Sequence, residues 1–265
     1  MKHFSVIIIL LLWPVMTAFA QDQQQVQVIQ PAETPVAFSV DPKGAVYAVL
    51  ENGSLIKYDT TGAPVSIPGR KTKSSEWQID ASNPYKIVVF NRDLQIADIY
   101  NAQLARINSI DFTSLETGDI ALLCGSYDNS FWTLSSSNME LVRISEQLST
   151  TSKTNLSLVV NDVEFSPDVM MESDSRLMIA QRSGPACLFD LFGNMQLRFS
   201  EPAKCWSFNG DILYSLRNDS ISAYHTKLHE TALLETGIKN ISSFVVSTPW
   251  MVVLSENKIF LFRKR

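Results

Sequence analysis

The chain has 265 residues, 45% of them apolar and 18% charged, enough to bury the core of one large domain and too apolar for a disordered polymer. A net charge of −5 excludes a dominant basic surface, so nucleic acid is not an expected partner. Three cysteines cannot all pair with one another.

Residues 1–20 read as a secretory signal. Lys2 and His3 precede an apolar run over 4–12, and Ala18-Phe19-Ala20 supplies a small-x-small cleavage site, with the cut expected before Gln21. That run is short for a membrane span, and no other approaches the length of one. The expected product is exported to the periplasm or the exterior as a monomer. Export permits disulfides, but Cys124, Cys187 and Cys205 each lie in an apolar, strand-like run and read as small buried hydrophobes.

Residues 21–35 form a leader carrying one alternating strand, 26–30. From 36 to 265 the chain repeats a plan of short β-branched and aromatic runs separated by turns. Unit one has strands at 36–40, 45–50, 55–58 and 65–68, with turns at Asp41-Pro42-Lys43-Gly44, Asn52-Gly53 and Thr60-Thr61-Gly62. Unit two has strands at 77–79, 87–90, 95–100 and 104–107. Unit three has strands at 120–124, 131–134 and 139–144, then a polar, poorly marked one within 148–156. A longer join, 157–167, leads to unit four at 169–171, 177–180, 186–190 and 195–199. Unit five follows at 205–208, 212–216, 221–224 and 228–234. Unit six has 241–246, 250–254 and 259–262, and stops one strand short.

Third-strand positions Tyr58, Ile99, Ile144, Phe189, Tyr224 and Phe262 recur every 35–45 residues. A period near 40 with about four strands per unit predicts an all-β fold, a six-bladed β-propeller. The leader strand 26–30 is spare, and unit six lacks its outer strand. Pairing the two closes the ring and covers an open edge.

The repeats resemble the six-bladed propeller superfamily that includes NHL-type and TolB-like domains. Asp80-Ala81-Ser82-Asn83-Pro84-Tyr85-Lys86-Ile87-Val88-Val89-Phe90, Gln95-Ile96 and Tyr127-Asp128-Asn129-Ser130-Phe131-Trp132 are similar to a group of exported bacterial propeller proteins. The shared motifs are turns and strands of a group without an assigned activity, so the resemblance implies a fold and no catalytic residue.

Three sets of residues are candidate sites. Arg92, Arg182 and Arg217 occupy turns between second and third strands, and Arg70, Lys71 and Lys73 lie in the first blade join. Together they suit a carboxylate or phosphate ligand on one face; charged turns are equally the ordinary solvated surface of such a fold. Asp41 and Asp80 end adjacent first strands on the opposite face and suit calcium, or cap the turns that each precedes. Tyr127 and Asp128 belong to the most aromatic turn, suited to a sugar or a protein partner, with Trp132 read as core. His225 and His229 flank an outer hairpin without the His-Glu-x-x-His pattern of a zinc helix. Asn52, Asn155, Asn218 and Asn240 begin acceptor patterns for glycosylation, read as coincidental in a bacterial protein.

No nucleophile elbow or phosphate-cradling glycine loop is present. The expectation is a binding or scaffold module of the bacterial envelope that takes an envelope protein or a small anionic ligand, with no catalytic residue and no cofactor beyond calcium. The alternatives are a metal-dependent, lactonase-like hydrolase with a channel site and a sensor of an anionic ligand.

Overall fold

The structure, a computed structural model, describes residues 23–68, 72–114, 118–135, 137–162 and 164–264. The expected signal segment and the candidates Arg70 and Lys71 lie outside the described residues.

A single strand, β1 (Gln23–Ile29), precedes the first blade. Blade 1 is β2 (Ala37–Val40), β3 (Val46–Val49), β4 (Leu55–Tyr58) and β5 (Pro64–Ile67). Blade 2 is β6 (Trp77–Asp80), β7 (Ile87–Asn91), β8 (Ile96–Tyr100) and β9 (Arg106–Asp111). Blade 3 is β10 (Ile120–Gly125), β11 (Phe131–Ser135), β12 (Glu140–Ile144) and β13 (Thr150–Asn155). One helical turn, α1 (Leu156–Val160), capped by the Asn155 side chain, joins it to the next blade. Blade 4 is β14 (Val169–Ser173), β15 (Arg176–Ala180), β16 (Gly184–Asp190) and β17 (Met195–Ala203). Blade 5 is β18 (Cys205–Asn209), β19 (Ile212–Arg217), β20 (Ser220–His225) and β21 (Glu230–Leu234). Blade 6 supplies β22 (Ile241–Ser247), β23 (Trp250–Ser255) and β24 (Lys258–Lys264).

Each blade is a four-stranded antiparallel meander, and the last is completed from the other end of the chain: its order is β1-β24-β23-β22. Gln23 lies opposite Lys264 and Ile29 opposite Ile259. The chain is a six-bladed β-propeller closed by its N-terminal strand.

The turns explain why short strands suffice. Asp59, Asn101, Ser145 and Asp190 open the third-to-fourth turns of blades 1–4. Each accepts hydrogen bonds from the amides two and four residues ahead, at 2.8–3.2 Å. The residue three ahead is left-handed in every case: Gly62, Leu104, Leu148 and Gly193. In blade 5 the ring nitrogen Nδ1 of His225 takes the same role, accepting from Lys227 and Leu228, while His229 Nδ1 meets the Tyr224 hydroxyl at 2.7 Å.

Apolar packing lies between blades. Tyr47, Val49, Trp77 and Val89 join blades 1 and 2; Phe90, Phe112 and Phe131 join 2 and 3. Trp132, Leu141 and Phe189 join 3 and 4; Leu188, Trp206 and Phe208 join 4 and 5. Tyr214, Phe244 and Phe262 join 5 and 6. Ile29, Val40, Val46, Trp250 and Leu261 complete the circle between 6 and 1. Trp132 is fully buried, as expected. The three cysteines are free and buried, and burial pushes the Cys187 thiol up to about 11.

Candidate functional site

The first strands of all six blades line a central channel of about 650 Å³. First-to-second and third-to-fourth turns open on one end of it, the front. Second-to-third turns and blade joins open on the other, the back.

The channel wall is polar where neighbouring blades meet, and those polar groups bind backbone across the joints. Ser39 accepts from the Ala81 amide. Gln78 bonds both ways with blade 3, donating to the Ala121 carbonyl at 2.6 Å and accepting from the Leu123 amide at 2.9 Å. Asp80 accepts from the Gly125 amide at 2.8 Å as well as from Ser82 in its own turn. Glu172 reaches back to blade 3, accepting from the Tyr127 amide at 3.0 Å and the Trp132 indole at 2.6 Å. Ser173 accepts from Gly210, Ser207 from Val246 and Asn209 from Thr248. Innermost strands of adjacent blades do not share a sheet, so their backbone groups need side-chain partners to stay satisfied.

Asp41 is buried and serves its own hairpin. Its carboxylate accepts from the Lys43 and Ala45 amides at 2.8 and 2.9 Å and from the Tyr47 hydroxyl at 3.1 Å. Burial, and then the Asp41 charge, hold the Tyr47 hydroxyl well above its ordinary pKa. Asp41 and Asp80 therefore point to different tasks, one within a turn and one across a blade joint. Among the described residues no group of three or more His, Cys, Asp or Glu side chains is gathered as a metal would need.

The back-face arginines stay one per blade, Arg92 and Arg182 each against an acid of its own blade and Arg217 against one on β17 of the blade before. Arg92 meets Glu76 at 3.3 Å, Arg182 meets Asp168 at 3.7 Å and Arg217 meets Glu201 at 2.7 Å. Only Arg182 of the three lines the channel, and Lys73 is exposed outside it. Burial raises the Asp168 carboxyl above its usual range, and the Arg182 amide and guanidinium partly offset this.

At the front, Tyr127 is 66% exposed and borders the channel. Asp128 faces Arg143 at 3.0 Å, and that guanidinium also donates to Ser126 and Ser130 and lies 5.3 Å from the Tyr127 ring centre. On the next blade Tyr85 is 65% exposed, with Lys43 Nζ 4.4 Å from its ring centre. Sequence reasoning did not reach Gln78 or Asp174 as site residues. A polar Gln78 inside an otherwise apolar inner strand was the available signal.

The chain matches no protein-family model and no curated protein. Among solved structures it is similar to the β-propeller domain of Cps50 (Swd1) from Myceliophteria thermophila, with a TM-score of 0.64 at 7% identity, covering 92% of this chain and 100% of that one. The Pan2 WD40 domain of Neurospora crassa gives 0.61 at 8% identity, covering 92% and 96%. Virginiamycin B lyase from Staphylococcus aureus gives 0.60 at 11% identity, covering 92% and 100%. At these identities the likeness is one of fold.

Proposed function

We propose that the protein is an exported binding module of the bacterial envelope, kin to the NHL- and TolB-like propellers, which engages a partner at the front mouth of its channel as a monomer. Propellers commonly act as protein-binding scaffolds. One observation carries the reading: Asp80 and Glu172 at this end are occupied by backbone and indole N–H groups of the neighbouring blade, so they hold the blades together and leave the mouth as a recognition surface. A lactonase-like hydrolase needs carboxylates converging on a metal and a bound water. Asp41 and Asp80, with their hydrogen bonds to turn and joint amides, fit that role poorly, and the reading includes no calcium. A sensor of anions would need its ligand to displace Glu76, Asp168 and Glu201 from Arg92, Arg182 and Arg217.

The test is retention of an envelope partner on immobilised protein. A Tyr85→Ala/Tyr127→Ala variant should keep its melting temperature, because both rings are exposed, and should lose the partner held by the unaltered protein. Equal retention by the variant would remove the front mouth from the account.

A further inference from the structure

The occupant of the front mouth can be narrowed by its charge. Three carboxylates border the channel there: Asp80 from blade 2, and Glu172 and Asp174 from blade 4. Asp80 and Glu172 receive only uncharged N–H donors. Asp174 is exposed at a corner with a left-handed backbone, and among the described residues it makes no hydrogen bond or ion pair. Of the other acids at this end, Asp128 is paired with Arg143 and Asp211 with Arg176 and Lys227, while Asp41 is buried within its own turn.

The bases nearby are likewise engaged. Among the described residues Lys86 is the only lysine lining the channel, and its Nζ is turned outward onto the Asn129 carbonyl at 2.6 Å and Glu146 at 2.8 Å. Its side chain is 11% exposed and that of Arg143 12%. Among the described residues Asp80, Glu172 and Asp174 thus form no ion pair at the front of the channel of about 650 Å³, whose lining Arg182 lies at the back against Asp168. The front face adds a second feature, Tyr127 at the channel border and Tyr85 in the neighbouring front turn outside its lining. Tyr85 and Tyr127 each already carry an internal cation near the ring, Lys43 and Arg143, and are about two-thirds exposed. Aromatic faces and fixed carboxylates are the two surfaces that select a cation.

Resting on the binding reading above, we propose that the front mouth receives a basic side chain, lysine or arginine, presented by a partner polypeptide. A bare metal ion suits it less, because a hard cation needs its oxygens within about 2.3–2.6 Å of one point and these carboxylates, from blades 2 and 4, are not so gathered among the described residues. A neutral saccharide would stack on the tyrosines but leave the carboxylates uncompensated.

Amide spectra of the ¹⁵N-labelled protein, titrated with the blocked tripeptides Ala-Arg-Ala, Ala-Lys-Ala and Ala-Glu-Ala and with cellotetraose, test this. The Arg and Lys peptides should give saturable shifts at Tyr127, Asp174 and Gly210. Affinity should fall about fivefold in Asp174→Asn and fall with added salt, since the groups are exposed. An equal response to the Glu peptide, a response to cellotetraose in place of the basic peptides, or no movement of those amides with any probe would each overturn the proposal. If partner retention still depends on Tyr85 and Tyr127 in that event, the charge assignment alone falls. If that dependence is also missing, the binding reading falls with it.

Discussion

Removing β1 should weaken the protein far more than trimming an ordinary terminus. The strand pairs along its whole length with β24 and places Ile29, 4% exposed, in the cluster between the last blade and the first. Its loss opens the backbone edge of β24 and uncovers that cluster. Hydrogen bonds worth about 1 kcal/mol each and a buried isoleucine worth about 2 kcal/mol, less the entropy of ordering a terminal strand, leave a net loss of ~3 kcal/mol or more. For a domain of this size that lowers the melting temperature by about 6–12 °C. A permuted chain carrying residues 23–30 after Lys264 through an Asn-Gly turn should recover most of the loss, because Gln23 already lies opposite Lys264. A deletion that melts with the intact protein, or a permutant no better than the deletion, would show that the strand does not close the ring.

The second large effect is expected from Gly44→Ala. Gly44 has φ +90°, and a Cβ there would sit 2.5 Å from Cε2 and 2.8 Å from Cδ2 of Trp250. Trp250 belongs to blade 6 and Gly44 to the first turn of blade 1, so the clash falls on the closing joint. Gly237 is the control: its φ is +68°, and a Cβ would meet nothing within 4 Å. Both substitutions carry backbone strain of about 1 kcal/mol. Gly44→Ala adds overpacking against a large ring, on the order of 1–3 kcal/mol more. Urea unfolding should therefore separate the two variants by at least about 1 kcal/mol, and similar midpoints would mean that Trp250 does not pack where described.

Blade count, blade order and closure were legible in the sequence because they follow from local signals. All six third-strand positions, Tyr58 through Phe262, fall in third strands, since hairpin turns recur with Asp, Asn or Ser at their start. The weakly marked strand within 148–156 is β13 (Thr150–Asn155), whose polar side chains face solvent at the blade's outer edge. The five-residue α1 left no helical periodicity to read; its evident signal is the Asn155 cap. The site was less legible, for a geometric reason. The acids facing Arg92, Arg182 and Arg217 lie 14–16 residues upstream, Glu76 and Asp168 beside the arginine's own blade and Glu201 on the blade before. The bonds of Gln78, Asp80 and Glu172 cross to a blade 40–45 residues away. Neither pairing can be read from residue type and spacing until the blades are assembled.

The same bonds decide how the channel carboxylates should respond to metal. If Asp80 and Glu172 tie blades together and Asp41 caps its turn, calcium gains nothing from binding the folded state in preference to the unfolded one. The direct measurement is the metal content of the purified protein, paired with its melting temperature in chelator and in excess calcium. The account predicts no stoichiometric metal and one melting temperature in both conditions. A bound equivalent of calcium with a melting temperature that falls on chelation would contradict it, and would return the channel to the hydrolase reading.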